Sequence, residues 1–164
     1  MSRTVTRAGV FAYLLAVSII VLDQLSKHWV LDVFRLPERG TVDVAGPFRL
    51  TFVPNVGVSF GFFGDGAEWV RWALSAFSLA VAIGLAVWAR RLDRPLVGLS
   101  VGLVMGGAIG NLIDRVRFGW VVDFVDFQAL RFPWVFNLAD SAISVGVALL
   151  VLESLLSPKK EAAT

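Results

Sequence analysis

The sequence predicts a mainly α membrane protein with four transmembrane helices and a small extracytoplasmic β-sheet. Of its 164 residues, 57% are hydrophobic and only 17% are charged, whereas soluble domains carry roughly 25% charged residues. Four apolar stretches each approach the roughly 20 residues that cross a bilayer as a helix. Between the first two stretches, short segments alternate apolar and polar residues, which indicates strands. These observations favour one membrane-embedded domain over residues 1–164.

The predicted transmembrane helices cover about residues 9–31, 67–89, 95–113 and 137–156. We interpret the first as a retained helix and not as a signal peptide, because its apolar run is long and no small-residue cleavage site follows it. The third is rich in glycine, which favours close packing between membrane helices.

Basic residues near the helix ends predict the orientation of the chain. They precede the first helix, crowd the link between the second and third, and follow the fourth: Arg3, Arg7, Arg90, Arg91, Arg94, Lys159 and Lys160. Because such residues concentrate on the cytoplasmic side, we expect both termini there. The segments at about 32–66 and 114–136 then lie outside, where basic residues are spread more thinly.

The two outward segments differ in character. In the first, Thr41–Val44 and Phe48–Phe52 alternate apolar and polar side chains, and Pro54 follows, so we expect two short strands on the outer membrane surface. The second is expected to be a loop that contains Asp123 and Asp126. Its aromatic residues suit the headgroup region: Trp120, Phe124, Phe127, Phe132 and Trp134.

Composition excludes several kinds of site. Cysteine is absent and His28 is the one histidine, so thiol chemistry and a histidine-based zinc site are not expected. The net charge of +2 is small and no basic, aromatic-rich stretch occurs, which argues against nucleic-acid binding. We expect neither a metal nor another cofactor.

Polar residues from separate helices are predicted to meet at one depth. Asp23 lies about two-thirds of the way across the first helix, and Asn137 and Asp140 begin the fourth. One face near the outer end of the third helix carries Gly107, Asn111, Asp114 and Arg115. Two carboxylates in a low-dielectric pocket share a proton, so one can activate water while the other polarises a carbonyl. This is the chemistry of aspartyl peptidases.

Simpler interpretations accompany each residue. Asp140 would suit any helix N-terminus, Asp126 competes with Asp123, and Asn55 would suit a turn. Asp23 and Asn111 would serve helix packing, Asp114 and Arg115 would form an ion pair closing the third helix, and Lys27 and His28 would mark the membrane interface.

Two other functions remain open from the residues alone. A transporter or channel subunit would use intramembrane acids as a proton relay, although a relay would distribute them across the membrane depth. A second type of peptidase would use Lys27 as the base for a serine such as Ser26 or Ser59.

Five segments resemble the lipoprotein signal peptidase (signal peptidase II) family, in the family's order and over nearly the whole chain. They are Asp23–Lys27, Asn55–Gly61, Gly106–Arg115, Gly119–Phe127 and Phe136–Ser141. One mild departure is that the family often has alanine where Val58 and Ser59 stand.

The resemblance implies that Asp123 and Asp140 are the catalytic pair. Other matched positions would shape or support the site: Asp23, Asn55, Gly57, Asn111, Asp114, Arg115, Asn137 and Ala139. The implied reaction is cleavage of a prolipoprotein by activated water, just before a cysteine that carries diacylglycerol. The implied location is the bacterial inner membrane, among lipids, with the site toward the outer side. We expect a monomer.

Overall fold

The computed structural model describes residues 5–57, 67–132 and 134–156, which form five α-helices and four β-strands. In chain order they are α1 (Arg7–His28), α2 (Leu36–Arg39), β1 (Thr41–Ala45), β2 (Phe48–Asn55), α3 (Ala67–Ala89), α4 (Pro95–Phe118), β3 (Val121–Asp126), β4 (Val135–Phe136) and α5 (Leu138–Leu156). A π-helical turn, Trp29–Val33, extends α1. The family-motif positions Val58 and Ser59 lie outside the described residues.

Four helical segments are long and apolar enough to cross a membrane, which confirms the prediction of four spans. They are Arg7–Val33, Glu68–Ala89, Pro95–Phe118 and Leu138–Leu156. Of these, α4 is by far the most buried within the protein. It lies at the centre of the bundle, with α1, α3 and α5 packed around it.

Helix α4 ends later than predicted, at Phe118 and not near residue 113. The prediction let the charges of Asp114 and Arg115 end the helix, because charged groups are rare inside membrane helices. In the structure the Asp114 carboxylate pairs with Lys27, so its charge does not interrupt the helix. Gly119 ends it instead with φ 88°, a left-handed conformation that glycine often adopts just after a helix.

Small residues bring α1 and α4 into backbone contact. A Cβ placed on Gly102 or on Gly106 would lie 2.8 Å from the carbonyl oxygen of Ala12 or Ala16, respectively. Gly98 meets α1 one helical turn earlier in the same way. Such close approach is how membrane helices gain packing energy when lipid removes the hydrophobic driving force. The glycines of α4 therefore fix its distance from α1.

The strands form one antiparallel sheet in the order β1-β2-β3-β4. The predicted pair β1 and β2 is present, and β2 continues through Pro54 to Asn55. The prediction that Asp123 and Asp126 lie in a loop is wrong, since both belong to β3. In the register, Asn55 pairs with Val121 and Val53 with Asp123, which places Asn55 beside Asp123.

An apolar cluster attaches the sheet to the helical bundle. Val30 in the π-helical turn and Leu36 in α2 pack with Leu50 of β2 and with Val122 and Phe124 of β3. Phe124, which we expected among the aromatic residues of the headgroup region, is therefore a core residue and only 7% exposed. The cluster fixes β3 directly over the end of α1.

We expect Gly106→Ala to lower the stability of the folded protein. Its Cβ would lie 2.8 Å from both the Ala16 carbonyl oxygen and the Ile19 Cβ, and such overpacking costs about 1–3 kcal/mol. Gly84→Ala in α3 is the matched control, because nothing lies within 4 Å of the added atom and alanine favours helix over glycine. Thermal unfolding in detergent should show a lower midpoint for Gly106→Ala alone. Equal midpoints would contradict the packing argument.

Candidate active site

Asp123 and Asp140 meet through a single residue, Asn137. Asn137 donates from Nδ2 to Oδ1 of Asp123 at 2.7 Å. Its backbone N–H donates to Oδ2 of Asp140 at 3.4 Å, and its Oδ1 accepts from the Asp140 backbone N–H at 2.9 Å. Asp123 is 1% exposed, whereas Asp140 is partly exposed. Two acids from separate elements, β3 and α5, thus share one neighbour.

The first turn of α5 places Asn137 and Asp140. The two residues bond reciprocally, each side chain accepting from the other's backbone N–H, which is the geometry of a capping box. Asparagine is among the best residues to precede a helix, and the helix dipole favours an ionised carboxylate in the first turn. The local sequence therefore both starts the helix and presents the acid.

Three asparagines direct their amide N–H groups at the two acids. Asn55 donates to Oδ2 of Asp123 at 2.8 Å, and Asn137 donates to Oδ1 of the same carboxylate at 2.7 Å. Asn111 donates to Oδ1 of Asp140 at 2.7 Å. Reversing the Asn55 amide would break a second hydrogen bond, because its Oδ1 accepts the Gly57 backbone N–H at 2.8 Å. Gly57 has φ +88°, so this turn favours glycine.

The environment makes Asp123 unusually easy to protonate. Burial raises its pKa from 3.8 to about 7, and the negative charge of Asp140 adds to this effect. Hydrogen bonds from Asn55 and Asn137 oppose it. The carboxyl therefore holds a proton for a large fraction of the time near neutral pH, as one member of an acid pair that shares a proton does.

Asp126, the other acid on β3, has a different environment. Although burial opposes ionisation, the Gln128 backbone N–H and the side chains of Thr51 and Arg49 outweigh it and lower the Asp126 pKa. Thr51 donates at 2.7 Å and Arg49 lies 3.1 Å away. Asp126 is therefore a permanently charged part of the sheet, which leaves Asp123 as the acid beside Asp140.

A buried ion cluster lies beneath the pair. The Lys27 amine is 2.8 Å from Asp23 and 2.7 Å from Asp114, and the three side chains are almost fully enclosed. The expectation that Lys27 marks the membrane interface is therefore wrong. The expected pair of Asp114 with Arg115 is replaced by the pair with Lys27. His28, in contrast, is exposed and contacts Asp32.

The cluster argues against Lys27 as the base of a serine peptidase. Ser26 donates its hydroxyl proton to the Asp23 carbonyl at 2.7 Å, while the Lys27 amine contacts two carboxylates. Neither group is arranged as a nucleophile with its base. Ser59, the other candidate, lies outside the described residues.

The remaining predicted residues support this arrangement. Asp23 accepts the Ala139 backbone N–H at 3.0 Å, and a Cβ on Gly107 would collide with the Ala139 carbonyl oxygen. These contacts place the start of α5 against α1 and α4. The Arg115 guanidinium interacts electrostatically with Asp140, Asp114 and Asp123. Sequence reasoning missed Gln24, which bonds to both Asp23 and Asp114.

A groove leads along the helices to Asp140. Its cavity measures about 280 Å³ and is bordered by α3, α4 and α5. Most of its lining is apolar, including Leu74, Phe77 and Ile143, and its polar end contains Asn111, Arg115 and Asp140. An apolar chain segment can therefore occupy the groove while a polar bond reaches Asp140.

Comparison with known proteins identifies a family with which this chain shares most of its length. The family model for signal peptidase (SPase) II matches residues 15–156. The lipoprotein signal peptidase of Caulobacter vibrioides is 52% identical over 161 residues, which cover 98% of this chain and 95% of the relative. That of Shewanella halifaxensis is 41% identical, covering 96% of this chain and 93% of the relative.

Two solved structures of bacterial membrane enzymes share the fold. The first has a TM-score of 0.78 at 24% identity and covers 96% of this chain and 100% of its own. The second has a TM-score of 0.74 at 23% identity and covers 99% and 100%. Similarity at this level of identity concerns the arrangement of helices and strands.

We expect the stability of the folded protein to fall between about pH 4 and about pH 7 because of Asp123. Its folded pKa of about 7 lies above the ordinary 3.8, so the folded state binds this proton more tightly than the unfolded state. The resulting stabilisation is complete below pH 3.8 and is lost as the pH rises to about 7. It amounts to roughly 4 kcal/mol at most.

Thermal unfolding in detergent at several pH values measures this effect. The midpoint of the wild type should fall more steeply with pH than that of Asp123→Asn, whose amide does not titrate. Asp126→Asn is the matched control, because the lowered pKa of Asp126 leaves it ionised throughout this range. A wild-type slope equal to that of Asp123→Asn would contradict the assigned pKa.

Proposed function

This chain belongs to the signal peptidase II family, and from that premise we propose that Asp123 and Asp140 are its catalytic pair. The chain is an aspartyl peptidase that cleaves signal peptides from prolipoproteins. The observation that carries the assignment of the pair is the contact of Asn137 with both carboxylates. It brings the two acids to one place and leaves the polar end of the groove beside Asp140.

The proposed reaction needs one protonated and one ionised acid. Asp123, with a pKa near 7, supplies a proton to the oxygen of the scissile carbonyl. Asp140, at a helix N-terminus, removes a proton from water as the water oxygen bonds to the carbonyl carbon. The C–N bond of the resulting tetrahedral intermediate then breaks, the amine takes up a proton from the pair, and the carboxyl product leaves with the water oxygen.

Supporting residues keep this pair in position. Asn55 and Asn137 donate to Asp123, and Asn111 donates to Asp140. Arg115 borders the groove at its polar end, where its guanidinium suits a peptide carbonyl of the substrate. Gly57, Gly107, Ala139, Asp23 and Asp114 act by holding the backbone and the helices around the site.

The groove favours a lipid-modified substrate. Phe77 on its rim is 67% exposed, as expected of a side chain that faces lipid. A diacylglyceryl group on the substrate cysteine would remain among the membrane lipids while the bond before that cysteine reaches the acids. We therefore propose diacylglyceryl-modified prolipoproteins as the substrates.

The proposed location is the bacterial inner membrane, with both termini in the cytoplasm. Arg90, Arg91 and Arg94 crowd the link between α3 and α4, which supports a cytoplasmic link and an active site toward the outer side. We also propose a monomer, because both acids and all three asparagines come from one chain.

We expect Asp123→Asn and Asp140→Asn each to reduce processing by more than about 10³-fold, since each removes one half of a unit that acts together. The measurement is the gel shift of a diacylglyceryl-modified precursor, with folding checked by gel filtration in detergent. The matched control is Asp126→Asn, which removes a buried acid from the same strand and should still process the precursor.

Two results would contradict the proposal. Cleavage at the wild-type rate by either variant would exclude that acid from catalysis, and unfolding of both would reduce them to structural residues. The same precursor without its diacylglyceryl group tests the substrate class, and we expect it to remain uncleaved.

We expect kcat/KM to fall as the pH rises above about 7. The catalytic pair needs its shared proton, and Asp123, whose pKa is about 7, loses it in this range. Once the proton is lost the rate should fall roughly tenfold for each pH unit. Initial rates from pH 5 to 9 measure this decrease, and the Asp126→Asn variant should show the same decrease as the wild type. A rate that is constant from pH 7 to 9 would contradict it.

A further inference from the structure

The Lys27 amine has three acceptors, and one of them leads to the active site. Besides the carboxylates of Asp23 at 2.8 Å and Asp114 at 2.7 Å, it donates to Oδ1 of Asn111 at 3.3 Å. An ammonium group has three N–H donors and no acceptor. Each donor is therefore used, and the third one contacts a residue that also contacts Asp140.

This contact fixes which way the Asn111 amide points. Its Oδ1 accepts from Lys27 and also from Nδ2 of Asn137 at 3.2 Å. Both partners can only donate, so the oxygen must face them. The amide nitrogen then faces Oδ1 of Asp140, 2.7 Å away. A reversed amide would direct an oxygen at the carboxylate and would place its nitrogen against two donors.

The orientation of Asn111 depends on side chains, unlike that of the other two asparagines. Backbone N–H groups fix the amides of Asn55 and Asn137, through Gly57 and Asp140 respectively. The Asn111 oxygen is held by Lys27 and by the Asn137 side chain. Replacing Lys27 therefore removes the charged donor to the Asn111 oxygen and leaves the Asn137 amide as the other described donor.

Several charged groups face Asp140, but Asn111 distinguishes it from Asp123. Arg115 of α4 interacts more with Asp140 than with Asp123, and the charge of Lys27 itself favours the ionised form of Asp123. Lys27 of α1 and Asp114 of α4 lie in the cluster beneath, and Asp123 faces Asp140 from β3.

The amide donors differ between the two acids. Asn111 donates to Asp140, while the amide donors to Asp123 come from Asn55 and Asn137.

We infer that Lys27 is a positioning residue for catalysis, which acts through Asn111 to keep Asp140 as the ionised member of the pair. A hydrogen bond from the amide stabilises the charged form of the carboxylate, the form that removes a proton from water. This inference rests on the proposed catalytic roles of Asp123 and Asp140.

The test removes the donor while preserving the charge of the cluster. In the wild type, two carboxylates and one ammonium give a net charge of −1. The double variant Lys27→Met/Asp114→Asn leaves one carboxylate and keeps that value. In the full-length enzyme in detergent, we expect kcat to fall at least about tenfold while KM changes less than about threefold. The acidic limb of the kcat profile should move to higher pH.

The wild type is the charge-matched reference for the double variant, and the single variant Asp114→Asn, whose cluster has a net charge of zero, retains the Lys27 donor. We expect its kcat to exceed that of the double variant at least about fivefold, and its acidic limb to lie below that of the double variant. The inference would be overturned if the folded single and double variants had the same kcat and the same acidic limb of the kcat profile. Lys27 would then act on the cluster alone.

A second measurement applies even where the double variant does not fold. Infrared spectra of protein with isotope-labelled aspartate report the C=O stretch of protonated carboxyls. At pH 6 we expect Asp123→Asn to remove intensity from this band relative to the wild type and Asp140→Asn to retain it. A loss of intensity in Asp140→Asn and none in Asp123→Asn would place the proton on Asp140 and overturn the inference.

The outcomes separate this inference from the proposed function. Wild-type processing by Asp123→Asn or Asp140→Asn would refute the catalytic pair itself. Loss of processing in both, together with a wild-type kcat and acidic limb in the folded Lys27→Met/Asp114→Asn variant, would refute only the role of Lys27.

Discussion

The ion pair of Lys27 with Asp23 and Asp114 is the constraint around which this structure is organised. Inside a membrane span an unpaired charge is costly, and removing one partner of a buried pair typically costs several kcal/mol. The two carboxylates also accept backbone N–H groups, Asp23 from Ala139 and Asp114 from Val122. One cluster therefore joins α1, α4, α5 and β3, and the start of α5 and the strand bearing Asp123 must come together above it.

Much of the architecture could be predicted because it depends on local properties of the sequence. The four spans follow from apolar length, and the meeting of Asp140 with Asn111 of α4 follows from the alternating direction of the spans. Strand β3 could not be found in this way. Its residues Val121–Asp126 are buried almost throughout, so the two-residue alternation that marks a half-buried strand is missing. Its partner β2 is also remote in sequence.

Lys27 shows the same limit at the level of a single residue. A lysine near the end of an apolar helix usually extends to the membrane surface, and its partner Asp114 lies in a helix far along the chain. The local signal was the spacing of Asp23 and Lys27, four residues apart on one helix face. No sequence pattern predicts the direction of the Asn111 amide, because that direction depends on Lys27 of α1 and on Asn137 at the start of α5.

Asn137 has two duties that cannot be separated: it caps α5 and it contacts both acids. Replacing it to weaken an inhibitor bound at the acids would also uncap a membrane helix, at a cost of roughly 1 kcal/mol, and disturb the acid pair. A change at this position would therefore reduce stability and disturb the acids together, whereas along the apolar groove one aliphatic side chain can replace another. An antibacterial compound that engages the capped turn of α5 would contact a residue whose replacement carries both costs.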